Sequence, residues 1–182
     1  MNISRENAEI LLNQHVKDAY QLLHAQMVAN ALEAYAEKLG EGKDLWYITG
    51  LLHDLDYDEF PEEHPMKSVQ WLEELNYPEE LTHAVAAHGY MFSNVTLETL
   101  LDKMLLACDE ISGFLYAYSL MRPTGFEGMK PAKVQKKLKD KSFAPNINRE
   151  EVQYSLEISK IDLLEHLQIL ISVFEKMNLK KV

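Results

Sequence analysis

The sequence predicts an all-α protein, a compact helical bundle. Three observations carry this. Leu, Ala, Glu, Lys and Met dominate most of the chain, apolar residues recur at helical spacing, and alternating β-branched runs with Asn-Gly or Asp-Gly turns are missing. With 182 residues and 47% hydrophobic content the chain has the size and apolar surface of one domain, expected over 1–182.

Each element has its own signals. Ser4 caps a first helix through about His15. Asp18 opens a longer one carrying Leu22, Leu23, Met27, Ala31 and Tyr35, and Gly40 stops it. Asp44 is the expected cap of a third, with Leu45, Ile48, Leu51, Leu52 and Leu55 as a broad apolar stripe and His53-Asp54 near its end. Pro65 suits the first turn of a helix through about Leu75, and Pro78 opens another that ends at His88-Gly89. A long apolar helix is expected from about Thr96 to Met121, stopped by Arg122-Pro123. From Pro123 to Asn148 glycines, prolines and the run KVQKKLKDK replace apolar periodicity, which predicts a flexible basic loop with one short helix. Two more helices follow, from about Arg149 to Ile158 and from Asp162 to Met177, the last with Leu163, Leu164, Leu167, Leu170, Ile171 and Phe174 as its buried stripe.

Composition narrows the function. A formal charge of −11 and a pI near 5.1 argue against a general nucleic-acid binder, which needs a basic face to displace counterions. A single cysteine, Cys108, allows no intrachain disulfide and fits a reducing, cytoplasmic location. No stretch has the roughly 18 apolar residues of a membrane span, and the first residues do not read as a secretory signal. A homodimer through apolar residues of the last helix is left open.

The chemistry lies where polar side chains interrupt the apolar helices, at His24, His53, Asp54, His64, His88 and Asp109. Burying a carboxylate or an imidazole among Leu and Ala costs several kcal/mol unless each finds a partner, and a divalent cation can serve them together. Neighbours on a helix point about 100° apart, so His53 and Asp54 can grip a cation lying off the helix end. His15, His83 and His166 are read as ordinary structural histidines; His83 lies more than one helical turn before His88.

The order His24, GLLHDLDY at Gly50 to Tyr57, EEHPMKS, AVAAHG and ACDEISG resembles the HD-domain superfamily of metal-dependent phosphohydrolases, in the branch with the extended H…HD…H…H…D pattern. The resemblance covers roughly Leu23 to Gly113, and the stretch through LKDKSFAPNINRE is similar to a bacterial subgroup of HD hydrolases. It implies a metal-binding core at about 20–122, with the basic loop and C-terminal helices at about 123–182. It also implies that His24, His53, Asp54 and Asp109 bind one metal and that Asp54 bridges to a second held by His64 and His88. These donors suit Fe, Mn, Co, Ni or Zn, one or two ions per chain. The implied activity is hydrolysis of a phosphate ester in a nucleotide or other small phosphorylated molecule. A di-iron oxygenase and a non-catalytic metal- and nucleotide-binding regulatory domain are the alternatives.

Family members often carry a lysine a few residues after the HD pair; here that position is Tyr57. Asp54, Asp56 and Tyr57 are therefore the candidates for catalytic work, with Asp56 either an acid or base, a helix-end cap or a solvent-exposed residue. Phosphate contacts are expected from Arg122, Lys130 and Lys133. The lysine run from Lys130 to Lys141 is either a solvated helix face or a phosphate-gathering flap, and Phe126, Met129 and Phe143 either meet a nucleobase or anchor the segment to the core.

Overall fold

The computed structural model describes residues 3–177 and 179. Every regular element among the described residues is a helix, and the chain divides into two compact units, residues 1–105 and 106–182.

In the first unit, α1 (Arg5–His15) starts where Ser4 accepts from the backbone N–H of Asn7. Asp18 accepts from the N–H groups of Tyr20 and Gln21 to open α2 (Ala19–Leu39), and Gly40, with φ of 78°, closes it in the left-handed region that glycine adopts at least cost. α3 (Lys43–Leu52) is capped two residues before the expected position: Gly42 is the N-cap and Asp44 sits in the first turn, held by Arg5 Nε at 2.7 Å. His53 is the C-cap of α3, and a run of turns leads to α4 (Met66–Glu74). α5 (Glu79–His88) ends at Gly89, and the short α6 (Tyr90–Ser93) follows at once. α6 was not expected, because its single turn offers no periodicity to read. The core joins Leu12, Ala29, Ile48, Leu51, Leu55, Leu72, Leu81 and Val85, so helices α1 to α5 each give one apolar stripe to it.

α7 (Leu100–Leu120) begins four residues later than Thr96. Its start is a reciprocal cap: Thr99 Oγ1 accepts from the N–H of Asp102, while the Asp102 carboxylate accepts from the N–H of Thr99.

In the second unit, α8 (Pro131–Leu138), α9 (Arg149–Ser159) and α10 (Leu163–Lys176) follow. The segment expected to be a flexible loop does contain one short helix, and an arginine ties each end of it. Arg122 donates to the carbonyls of Gly125 and Glu127 and to Thr124 Oγ1. Arg149 donates to the carbonyls of Leu138, Asp140, Phe143, Ala144 and Ile147, which uses the whole guanidinium fork. The buried face of α10 is His166, Leu167, Leu170, Ile171 and Phe174. Leu164, expected in that stripe, is exposed and Leu163, the first residue of the helix, only half-buried, while His166 joins the inner face.

Candidate metal centre

The centre begins with a helix crossing. A Cβ placed on Gly50 of α3 would lie 2.8 Å from Ala29 Cα and N in α2, so the two backbones touch where any side chain would hold them apart. This brings His24 of α2 and His53 of α3 to 5.3 Å between ring centroids. Asp54 follows at the helix end, and the turn segment after it is pinned: Asp58 accepts from the N–H groups of Lys17 and Asp18 at 2.7 and 2.8 Å. The entry to α2 and the turn bearing Asp54 are thereby tied together.

Four imidazoles surround the one carboxylate of Asp54. Oδ2 faces His53 Nε2 at 3.4 Å and His24 Nε2 at 3.9 Å, and Oδ1 faces His88 Nε2 at 3.4 Å and His64 Nε2 at 3.5 Å. His24, His53 and His88 are buried, while His64 and Asp54 are half-buried.

The far side of three of these rings sets their chemistry. His53 Nδ1 lies 2.8 Å from the carbonyl of Gly50, and His88 Nδ1 meets the carbonyl of Val85. A carbonyl only accepts, so Nδ1 carries the proton in both, and a neutral ring then points its Nε2 lone pair at Asp54. His64 Nδ1 donates to Asp56 Oδ1 at 2.8 Å, the carboxylate–histidine pairing that orients metal-binding imidazoles. Burial opposes charging of His64, but the hydrogen bond to Asp56 and the charges of Asp54 and Asp56 outweigh it, and its pKa is raised.

These residues fit a metal. His88 Nε2 is buried without a hydrogen-bond partner, facing an oxygen that is itself an acceptor. With Nδ1 of His53 and His88 carrying the proton, each Nε2 and the Asp54 oxygen it faces are two acceptors with no hydrogen between them, a pairing that only a cation satisfies from both sides. Two ligands each about 2.1 Å from one ion lie roughly 3.0–3.4 Å apart, close to the 3.4 and 3.5 Å separations around Oδ1. Asp54, His64 and His88 offer ligand atoms all within 4.8 Å of one another.

The family model for the HD domain matches residues 22–112. The chain belongs to the HD-domain family. No solved structure matches it. HD domains bind divalent metals and are mostly metal-dependent hydrolases, and the His and Asp groups of this HD domain offer ligand atoms that could hold such an ion. Among the described residues no helix is long and apolar enough to cross a membrane.

The remaining expected residues are placed as follows. Asp109 is on α7 in the second unit, half-buried; burial, then the charges of Asp109 and Glu110, push the Glu151 carboxyl up to about 7. Asp56 is not solvent-exposed, and its carboxylate takes an N–H of the first turn of α4. It is wholly buried, with Oδ1 on His64 and Oδ2 accepting from the N–H of Ser68 at 2.8 Å. Tyr57 is 44% exposed, its ring edge-on to His64 at 5.2 Å. Arg122 Nε and Nη2 donate to the carbonyls of Gly125 and Glu127 in its own loop. Lys130 and Lys133 are exposed at the start of α8.

Phe126 and Met129 are buried, and Phe143 packs against Phe114 at 5.5 Å, which makes all three anchors of their segment. The histidines read as structural have partners of their own: His15 stacks on Trp71 at 4.1 Å, His83 pairs with Asp102 at 3.1 Å, and His166 Nε2 donates to the Ala107 carbonyl. Gly50 and Ser68 carry supporting roles that the sequence reading missed. A glycine inside an apolar helical run was the available signal for the first; nothing distinguished Ser68.

Proposed function

We propose that this HD domain holds one or two divalent transition metals with His24, His53, Asp54, His64 and His88, and hydrolyses a phosphate ester in a nucleotide or other small phosphorylated molecule. One observation carries the reading: each oxygen of Asp54 faces two imidazole nitrogens. A carboxylate that meets nitrogen donors from both oxygens suits a bridge between two ions.

A bound divalent ion supplies charge to offset the phosphate and to acidify water. The chain's own part is to present neutral Nε2 atoms and to keep them aimed. The Gly50 and Val85 carbonyls hold His53 and His88 by their Nδ1 protons. Asp56 does the same for His64 and is itself held by Ser68. Asp56 is in this reading a positioning residue rather than the acid or base. Tyr57, exposed beside His64, is on the substrate side.

The test is elemental analysis of the purified protein together with an anaerobic activity screen across phosphomonoesters, cyclic dinucleotides and nucleotides with Mn²⁺ or Co²⁺. Hydrolysis that is lost in Asp54→Ala together with the metal supports the reading. Turnover only with Fe and O₂ would move the assignment to an oxygenase, and bound metal without turnover of any phosphate ester to a regulatory domain. Metal content of Asp109→Ala decides whether Asp109 belongs to the ligand set.

A further inference from the structure

The turns from His53 to Pro65 carry more than ligands. They bear Asp54, Asp56, Asp58, Glu59, Glu62 and Glu63, and between Lys43 and Lys67 the sequence contains no lysine or arginine. Asp58, Glu59, Glu62 and Glu63 are all exposed. Beside them stand two exposed apolar side chains, Tyr57 and Met66, each 44% accessible. Met66 is two residues after His64. Tyr57 is held by its N–H to the Asp54 carbonyl at 3.1 Å and by its edge-on contact with the His64 ring.

We infer that this segment selects the substrate: a phosphate monoester whose alcohol carries a flat aromatic ring, and not one bearing further negative charge such as a polyphosphate. This rests on the phosphohydrolase reading of the cluster. A single phosphate is balanced by the cations that reading places at Asp54. Any second or third phosphate must lie farther out, toward a segment whose exposed carboxylates include Glu62 and Glu63, while Asp58 is taken up by the N–H groups of Lys17 and Asp18, Glu59 by His15, and Lys67 lies over Phe60 at the far end. The repulsion is long-range and weakens with salt, and it discriminates by what it rejects.

The attractive half is Tyr57. Its backbone is held by the Asp54 carbonyl and its ring by the edge-on contact with His64, so it offers an aromatic surface beside that residue. A flat ring gains offset stacking there without ordering a flexible chain. The lysine that a phosphate-gathering role would call for is thus replaced by a surface suited to the other end of the substrate.

Non-hydrolysable probes test this on the full chain loaded with Mn²⁺, by calorimetric titration. Phenylphosphonate is expected to bind at least about 10-fold more tightly than methylphosphonate. 5-Phosphonoisophthalate, which adds two carboxylates to the same ring, should bind more weakly than phenylphosphonate, with the gap closing as salt rises. Tyr57→Ala should bring the phenyl-to-methyl ratio toward one, and Tyr57→Phe should restore it. Glu62→Gln with Glu63→Gln should narrow the gap to the isophthalate, with metal content checked in every variant.

A phenyl-to-methyl ratio near one in the unmodified protein, or a ratio unchanged in Tyr57→Ala, overturns the inference while leaving the phosphohydrolase reading standing. So does tighter binding of the isophthalate, above all if replacing Lys130 and Lys133 by Gln abolishes it. If the metal-loaded protein binds neither simple phosphonate, the phosphohydrolase reading itself fails and the inference falls with it.

Discussion

Gly50 and Ala29 are in backbone contact: a Cβ on Gly50 would come within 2.8 Å of the Ala29 Cα and N. The contact sets how closely α2 and α3 cross, and each helix carries a candidate ligand on the same side of it, His24 five residues before Ala29 and His53 three residues after Gly50. Helix packing and ligand spacing are therefore one quantity here.

Gly50→Ala is expected to destabilise the protein by about 1–3 kcal/mol, the usual cost of overpacking a tight contact, because the obstacle is backbone rather than a movable side chain. Urea unfolding with chelator present measures this cost without metal. Metal affinity should fall as well, since His24 and His53 separate. A variant as stable as the unmodified protein would show that the crossing relaxes freely.

The helices were legible because their signals are local. Ser4, Asp18, Asn148 and Asp162 each accept a backbone N–H at the start of a helix, and Gly40 ends one by its positive φ; a cap is visible within four residues of sequence. The candidate ligands were legible as polar interruptions of apolar helices, and His24, His53, Asp54, His64 and His88 do converge. Asp56 was legible only as a polar residue. Its role depends on Ser68 and His64, which come back to it from the start of the next helix, and sequence spacing carries no record of that return. The bonds of Arg122 to carbonyls of its own loop were hidden for a similar reason, because backbone acceptors leave no mark in a sequence.

Chelation should lower the thermal midpoint of the protein as purified, because a ligand at 100 times its dissociation constant stabilises the native state by about 2.7 kcal/mol. Differential scanning calorimetry with and without chelator reads the shift. Asp54→Ala should show no shift, having lost the carboxylate that all four rings face. An Asp54→Ala protein that keeps full metal content would remove Asp54 from the site.

The two oxygens of Asp54 predict two classes of variant. His64→Ala and His88→Ala, both facing Oδ1, should lower metal content from two ions to one. His24→Ala, facing Oδ2, should weaken retention of the other ion. Elemental analysis separates the classes, and equal loss in every folded variant would point to one mononuclear site.

Asp56→Asn should cut metal affinity by about 10–100-fold, the range seen when a partner behind a metal-binding histidine is altered. The amide can still accept from the N–H of Ser68 but takes the charge away from His64 Nδ1. The loss should match that of His64→Ala in kind and fall short of it in size. If Asp56→Asn instead abolished turnover at full metal occupancy and unchanged affinity, Asp56 would be an acid or base after all.

His166 predicts an acid limit that has nothing to do with metal. Its ring is fully buried, its Nε2–H donates to the Ala107 carbonyl at 2.8 Å, and burial pushes its pKa down to about 4 from the ordinary 6.5. The folded state thus binds this proton less readily than the unfolded chain does. By linkage the contribution is fully present above pH 6.5, shrinks as pH falls from there toward 4, and is gone below it. The fall from 6.5 to about 4 corresponds to about 3 kcal/mol. His166→Gln keeps an N–H donor for Ala107 and cannot titrate, so the difference in unfolding free energy between the two proteins isolates the histidine from the carboxylates and from metal release. That difference should move in favour of His166→Gln by up to about 3 kcal/mol between pH 7.5 and pH 4. Parallel pH profiles for the two proteins would mean that the buried ring stays uncoupled from acid unfolding, and that the fall in stability belongs to the ligand histidines instead.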